Sequence, residues 1–229
     1  DAMNAGKDVG SEVPACRTLE ECRDLVRTKE KTGTRYMLLE NYVYTRVRMQ
    51  IYNMARAGVF GDLYYAECGY IHDCLALLFD SKGALTWRGE VRARLFGNTY
   101  PTHSIGPISK MMSIHRGDRM AKLVAMMSAP RSSHHYAVEQ FGPGSEAAKV
   151  KFTYGDYCSC LIQTANGAMI RCDFDSHSRR PTKMFYLVQG TKGLYDSDHG
   201  VYLHGKSPAQ KYESTAEYSK DYDHNYWAS

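Results

Sequence analysis

The sequence predicts an α/β protein in two parts. A short parallel strand–helix–strand unit occupies residues 1–42, and a mainly antiparallel open sheet with helices on one face occupies 43–229. Two observations carry this reading. Near the start, an apolar strand around Val9, a helical pattern and a second strand follow one another, which is the order of a parallel βαβ unit. From Lys149 onward the apolar residues alternate with period two, and Asn166-Gly167 separates two alternating runs, a strong hairpin signal.

Each element has a local reason. Thr18 with Glu21 forms a capping box, and Leu19, Cys22, Leu25 and Val26 recur at helical spacing until Gly33 stops the helix. Residues 34–42 read as a strand ending in polar Glu40 and Asn41. Val47, Ile51, Met54 and Ala55 mark one face of a helix over 46–57, closed by Gly58. A strand then runs from Asp62 into Tyr70, His72 and Asp73. Residues 75–99 read as a long loop holding Trp87 and Arg88. A helix is expected to begin just after His103 and run to about Ile114, followed by a strand over 121–129. Further strands are expected over 184–196 and 200–205, and the tail after Pro208 is polar and rich in Tyr.

Composition excludes several classes. Of 229 residues, 43% are hydrophobic and 24% charged, which is enough apolar surface for a core and argues against general disorder. No run of about 18 apolar residues suggests a membrane span. The net charge of +4 is small and dispersed, so no nucleic-acid partner is expected. Seven cysteines include no C-x-x-C pair, and no metal site is expected. No P-loop, H-E-x-x-H or G-x-S-x-G occurs, and no two acids stand out as a glycosidase carboxylate pair. The 18 tyrosines fit a hydroxyl-bearing ligand such as a sugar, although most tyrosines in any chain are core-edge residues with a wet tip.

In parallel units, ligands sit beyond the carboxyl ends of strands, where Glu12 and the Glu40–Asn41 pair lie. In the segment YPTH, Pro101 stiffens a turn that holds Tyr100 and His103, and the following helix places its positive end nearby. That environment suits a histidine acting as a base, while a capping or structural role is the plainer alternative. Tyr70 ends a strand and is a candidate acid or base if a cation such as Arg88 lowers its pKa. Arg88 is alternatively a clamp on substrate oxygens, and Asp73 alternatively caps a turn.

Taken together, the segments AGKDVGSEVP, LLENYVYTR, ECGYIHD, WR, NTYPTHSIGP and IHRGD resemble glycoside hydrolase family 109, a branch of the Gfo/Idh/MocA oxidoreductases. The resemblance covers nearly the whole chain. It implies that residues 1–42 are the carboxyl-terminal remnant of an NAD-binding Rossmann domain, followed by a substrate-binding and dimerisation domain. It also implies an NAD-dependent α-N-acetylgalactosaminidase. In that chemistry NAD⁺ takes a hydride from C3 of the sugar, the C2 proton becomes acidic, the C1–oxygen bond is lost by elimination, and water and hydride are then returned. Residue by residue, Glu12, Val13 and Asn41 are expected to contact NAD. Tyr70, Arg88, Tyr100, Pro101, Thr102 and His103 are expected to line the sugar site. His103 is expected to serve as base at the C3 hydroxyl and Tyr70 at the C2 proton, with Tyr100 and Arg88 in support.

Departures from the family pattern shape these expectations. Val13 stands where the superfamily's usual Glu-Lys-Pro motif has lysine, which fits the glycosidase branch better than a sugar dehydrogenase. Thr182 stands where the family has a further tyrosine, removing one sugar contact. The glycine-rich nucleotide fingerprint would lie upstream of Asp1, so the 229-residue chain alone is expected to be inactive. A net NAD(P)-dependent sugar oxidoreductase and a non-catalytic sugar-binding or dimerisation module are the alternatives. A homodimer through the sheet is expected by analogy.

Overall fold

The computed structural model describes residues 1–227. The chain opens with β1 (Val9–Ser11), α1 (Leu19–Thr32) and β2 (Tyr36–Leu38), the two strands pairing in parallel with Val9 opposite Tyr36. The capping box is present as read: the Thr18 side chain accepts from the Glu21 amide, the Glu21 carboxylate accepts from the Thr18 amide, and Gly33 closes the helix at φ 68°. The second strand is shorter than expected, because the chain turns into a 3₁₀ segment over Asn41–Tyr44, started by the Glu40 carboxylate accepting from the Tyr42 amide.

The larger part follows as α2 (Arg46–Arg56), β3 (Leu63–Ile71), α3 (Trp87–Arg94), α4 (Thr102–Met111), β4 (Met120–Met127), α5 (Ser132–Phe141) and α6 (Glu146–Lys149). It ends with β5 (Tyr157–Thr164), β6 (Met169–Asp175), β7 (Lys183–Gly190), β8 (Gly193–Asp196), β9 (Gly200–Leu203) and α7 (Ser219–Tyr222). The last seven strands form one sheet in the order β4-β5-β6-β3-β7-β8-β9. All neighbours are antiparallel except β3 and β6, which run parallel with Tyr70 opposite Phe174. The Asn166-Gly167 hairpin joins β5 to β6, with Gly167 at φ 92°. One face of the sheet buries Cys68, Cys160, Ile170, Tyr186 and Val188 under α2 and α4, while the other stays open. Cys158 and Cys160 face the same way, their sulfurs 3.9 Å apart, and all seven cysteines are free. No described helix is long and apolar enough to cross a membrane.

Three segments differ from the sequence reading. Residues 75–99 contain α3, which opens where the Thr86 hydroxyl accepts from the Gly89 amide. Gly89 is needed there, since a Cβ would sit 2.2 Å from the Leu78 carbonyl oxygen. Helices α5 and α6 occupy 132–149, and the period-two region begins at Tyr157 rather than Lys149. Helix α4 starts two residues earlier than expected, so His103 lies within its first turn instead of just ahead of it.

Candidate active site

The site forms where the carboxyl end of β3, the first turn of α4 and the segment after β2 meet. Tyr70 leaves the penultimate position of β3 and stacks on Phe174 of the parallel neighbour, with centroids 6.1 Å apart and planes at 12°. Its ring lies 5.6 Å from His103 and 5.7 Å from Tyr100. The turn at Pro101 brings the Tyr100 hydroxyl to 3.3 Å from His103 Nε2. The tyrosine–histidine corner expected from the sequence is therefore assembled around Tyr70.

His103 is held from three sides. Its Nδ1 lies 2.9 and 3.0 Å from the two oxygens of Glu40. A carboxylate can only accept, so Nδ1 carries the proton, and in the neutral ring Nε2 is the free acceptor facing Tyr100. Glu40 is 6% exposed, so this is a shielded pair rather than a surface one. Glycine at position 106 makes room for it: a Cβ there would lie 2.9 Å from Glu40 Cγ. The Tyr42 ring packs 4.8 Å from the imidazole.

The third hold follows from proline. Pro107 lies inside α4 and has no amide hydrogen, so the His103 carbonyl four residues earlier loses its usual helical partner. The buried Tyr186 hydroxyl donates to that carbonyl from β7. Arg48 in turn lies 4.5 Å over the Tyr186 ring and 5.4 Å over that of Tyr42.

The electrostatics assign protonation states to the tyrosines. Burial pushes the Tyr70 phenol up to about 12, helped by the neighbouring Cys74, Tyr100 and Tyr42. Burial also raises Tyr100, as do the charges of Glu40 and Glu12, while Arg88 works in the opposite direction. The expectation that Arg88 lowers the pKa of Tyr70 is not met. Arg88 is exposed on α3 and lies 4.3 Å over the ring of Trp87, whose other neighbour is Arg17 at 5.4 Å. Asp73 takes its plainer role, its carboxylate accepting from the Leu75 amide in a turn.

Pro101 caps α4 and Thr102 is its first residue, the Thr102 hydroxyl being buried without a partner. Glu12 and Asn41 are exposed just beyond the carboxyl ends of β1 and β2, and Val13 is half-buried beside Glu12. Glu12 acts electrostatically on Tyr100, so this edge borders the corner. Thr182 is exposed immediately before β7, one step beyond the Ile71–Lys183 pair. The sequence reading placed Glu40 at a strand end but did not join it to His103, and it missed Arg48, Tyr42 and Tyr186. One signal was available for Tyr186: a proline four residues after His103 leaves a carbonyl that some other group must satisfy.

A separate polar hollow of about 250 Å³ lies on the open face of the sheet, lined by Glu67, Arg171 and Asp173 among others. Its central charges pair with one another, Arg171 reaching Glu67 at 3.0 Å and Asp173 at 3.1 Å. Among the described residues, no cluster of three or more His, Cys, Asp or Glu side chains is arranged to hold a metal.

Comparison with known proteins agrees with the architecture. The levoglucosan dehydrogenase structure with NADH and L-sorbose superposes with a TM-score of 0.67 at 19% identity, covering 90% of this chain and 53% of that one. An inositol dehydrogenase homolog from Azotobacter vinelandii, complexed with NADH and myo-inositol, gives 0.63 at 17%, covering 90% and 50%. Both share the fold of this chain. Among curated sequences, a glycosyl hydrolase family 109 protein of Parabacteroides distasonis is 39% identical across 100% of this chain and 53% of its own length. An alpha-N-acetylgalactosaminidase of Tannerella forsythia is 34% identical with the same coverage. The chain thus spans about half the length of the curated relatives it matches. The family model for the glycosyl hydrolase 109 C-terminal domain matches residues 44–229, and the chain belongs to the glycosyl hydrolase 109 family.

Proposed function

We propose that the protein carrying this chain is an NAD-dependent glycosidase acting on terminal α-N-acetylgalactosamine or a closely related sugar. The observation that carries the reading is the His103–Glu40 pair, with Nε2 free and flanked by Tyr100 and Tyr70. A histidine held in one tautomer by a shielded carboxylate is a general base with its acceptor already aimed.

The residues present fit the cofactor. β1 and β2 are parallel, and Glu12, Val13 and Asn41 stand just beyond their carboxyl ends, where such units hold dinucleotides. Leu19 and Val26 of α1 and Met37 of β2 are exposed, which supports reading residues 1–42 as part of a larger parallel layer and 43–229 as the substrate domain. NAD⁺, when bound, supplies a reversible hydride acceptor for C3 of the sugar. His103 Nε2 takes the proton of the C3 hydroxyl, and Glu40 balances the positive charge that then appears on the ring. Tyr100, whose hydroxyl faces Nε2 in the resting site, donates to the sugar oxygen once Nε2 carries the proton. We assign Tyr70 to the C2 proton; at pH 7 a group with a pKa of about 12 is ionised in about one molecule in 10⁵, so the phenol first gives up its own proton to solvent and the phenolate then takes the proton from C2. Arg88, at the rim, supplies a cation to the sugar's oxygens. Pro101 and Thr102 keep the corner rigid.

The test is hydrolysis of an aryl α-N-acetylgalactosaminide by the full-length protein in deuterated water. Deuterium at C2 of the released sugar is expected. Hydrolysis without exchange rejects the elimination route, and steady accumulation of NADH with free sugar points instead to a net oxidoreductase. We also place a second copy of the chain on the open face of the sheet, where Val124, Leu161 and Met169 are exposed. Sedimentation as a monomer at micromolar concentration rejects that placement.

A further inference from the structure

Arg88 and Arg92 stand one turn apart on α3 and so project from the same side of the helix. Arg88 is exposed, whereas Arg92 is partly buried. The Arg92 guanidinium lies 4.2 Å over the ring of Tyr154 and 5.2 Å over that of Phe174, and it donates to the Thr99 hydroxyl. Among the described residues no carboxylate lies within salt-bridge distance of it, and burial holds its pKa below the ordinary arginine range. A partly desolvated cation without an acid partner is costly, so its neighbours indicate what it does.

Those neighbours are the supports of both site tyrosines. Thr99 immediately precedes Tyr100, and its amide and hydroxyl lie 3.5 and 3.3 Å from the hydroxyl of the fully buried Tyr154. Phe174 is the ring on which Tyr70 stacks. One guanidinium therefore spans the backing of Tyr100 on one side and of Tyr70 on the other. A planar fork can lie on aromatic faces and donate in its own plane at once, which a lysine ammonium cannot do.

We propose that Arg92 is a positioning residue for the sugar chemistry: without touching the sugar, it sets the placement of the Tyr100 and Tyr70 hydroxyls around His103 by bracing Thr99 and Phe174. This rests on the functional reading above. Displacements well under an ångström at reacting groups lower turnover more than affinity.

The experiment compares Arg92→Met, Arg92→Lys and Thr99→Val in the full-length protein. It measures kcat and KM on the aryl glycoside, the thermal midpoint, and the His103 ring signals by NMR, assigned by their loss in His103→Asn. Arg92→Met is expected to lower kcat by about tenfold or more with KM changed by less than about threefold. Arg92→Lys should recover little of this, Thr99→Val should follow in the same direction, and the His103 signals should shift as Tyr100 moves. Unchanged kcat and unchanged His103 signals in Arg92→Met and Thr99→Val overturn the proposal. So does a fall in activity that tracks the thermal midpoint while the His103 signals stay in place. If Arg92→Met does not fold, Arg92→Lys and Thr99→Val decide the matter. Absence of turnover in the wild type removes the functional reading, and the His103 signals then test Arg92 alone.

Discussion

Replacing Glu40 with glutamine isolates the charge of the buried pair from its shape. In the native site, Glu40 Oε1 accepts from His103 Nδ1 at 2.9 Å and from the Tyr42 amide at 3.1 Å, while Oε2 lies 3.0 Å from the same Nδ1. A glutamine oxygen placed at Oε1 keeps both bonds, but its NH₂ then faces a donating Nδ1 at close range. The flipped amide faces the Tyr42 amide instead, so each rotamer leaves one donor against another. The variant also loses the difference between a charge-assisted and a neutral hydrogen bond, and it leaves the protonated ring without a counter-charge. Together these are worth about 2–3 kcal/mol in the transition state, which is about 30- to 150-fold in kcat/KM. The assay is kcat/KM on an aryl α-N-acetylgalactosaminide with the thermal midpoint measured in parallel. Glu40→Gln should lose activity in that range while remaining folded. A loss of less than about threefold in a folded variant refutes the role given to the pair.

Three further outcomes are expected. Tyr70→Phe should keep the fold and slow turnover; if Tyr70 handles the C2 proton, solvent exchange there disappears, whereas persistent exchange with slow hydrolysis makes it a hydrogen-bond donor only. Tyr186→Phe should cost about 1–3 kcal/mol of stability, read as a urea midpoint, because the His103 carbonyl bypassed by Pro107 is left buried without a donor; an unchanged midpoint contradicts that account. His177 is fully buried with both ring nitrogens unpartnered, and burial beside Arg92 holds its pKa down at about 4. The unfolded chain, with an ordinary value near 6.5, binds the proton first, so this contribution is complete above about pH 6.5 and is lost as pH falls toward 4. The loss at pH 4.5 is about 2.5 kcal/mol, and His177→Phe should flatten that part of the stability profile.

What the sequence could reveal depended on how far apart the partners lie. The Thr18–Glu21 box, the Gly33 stop and the Asn166-Gly167 hairpin are written within a few residues, and each forms as read. Helix α5 is not written that way: Ser132, His134, His135, Tyr136 and Val138 are weak helix formers, and the helix is anchored instead by the Asp156 carboxylate accepting from the Arg131 and Ser132 amides. Helix α3 similarly depends on Gly89 meeting Leu78 across a tertiary contact. At the site, the Tyr100–His103 corner is legible because Pro101 fixes its own φ and restricts Tyr100, at the start of a four-residue segment. The Glu40–His103 bond joins residues 63 positions apart, and Tyr186 reaches His103 from 83 positions away. Local spacing carries no trace of such pairings, and family resemblance supplied residue roles without the groups that hold those residues in place.

The one parallel pairing within the seven-stranded sheet, β3 with β6, joins stretches about a hundred residues apart in the chain. Everything from α3 through β5 must be laid down before Phe174 arrives to receive Tyr70. During synthesis, a chain that has emerged only as far as β5 already contains Tyr100 and His103, yet has no platform for the third member of the corner. The three-ring corner is therefore complete only when β6 has joined the sheet.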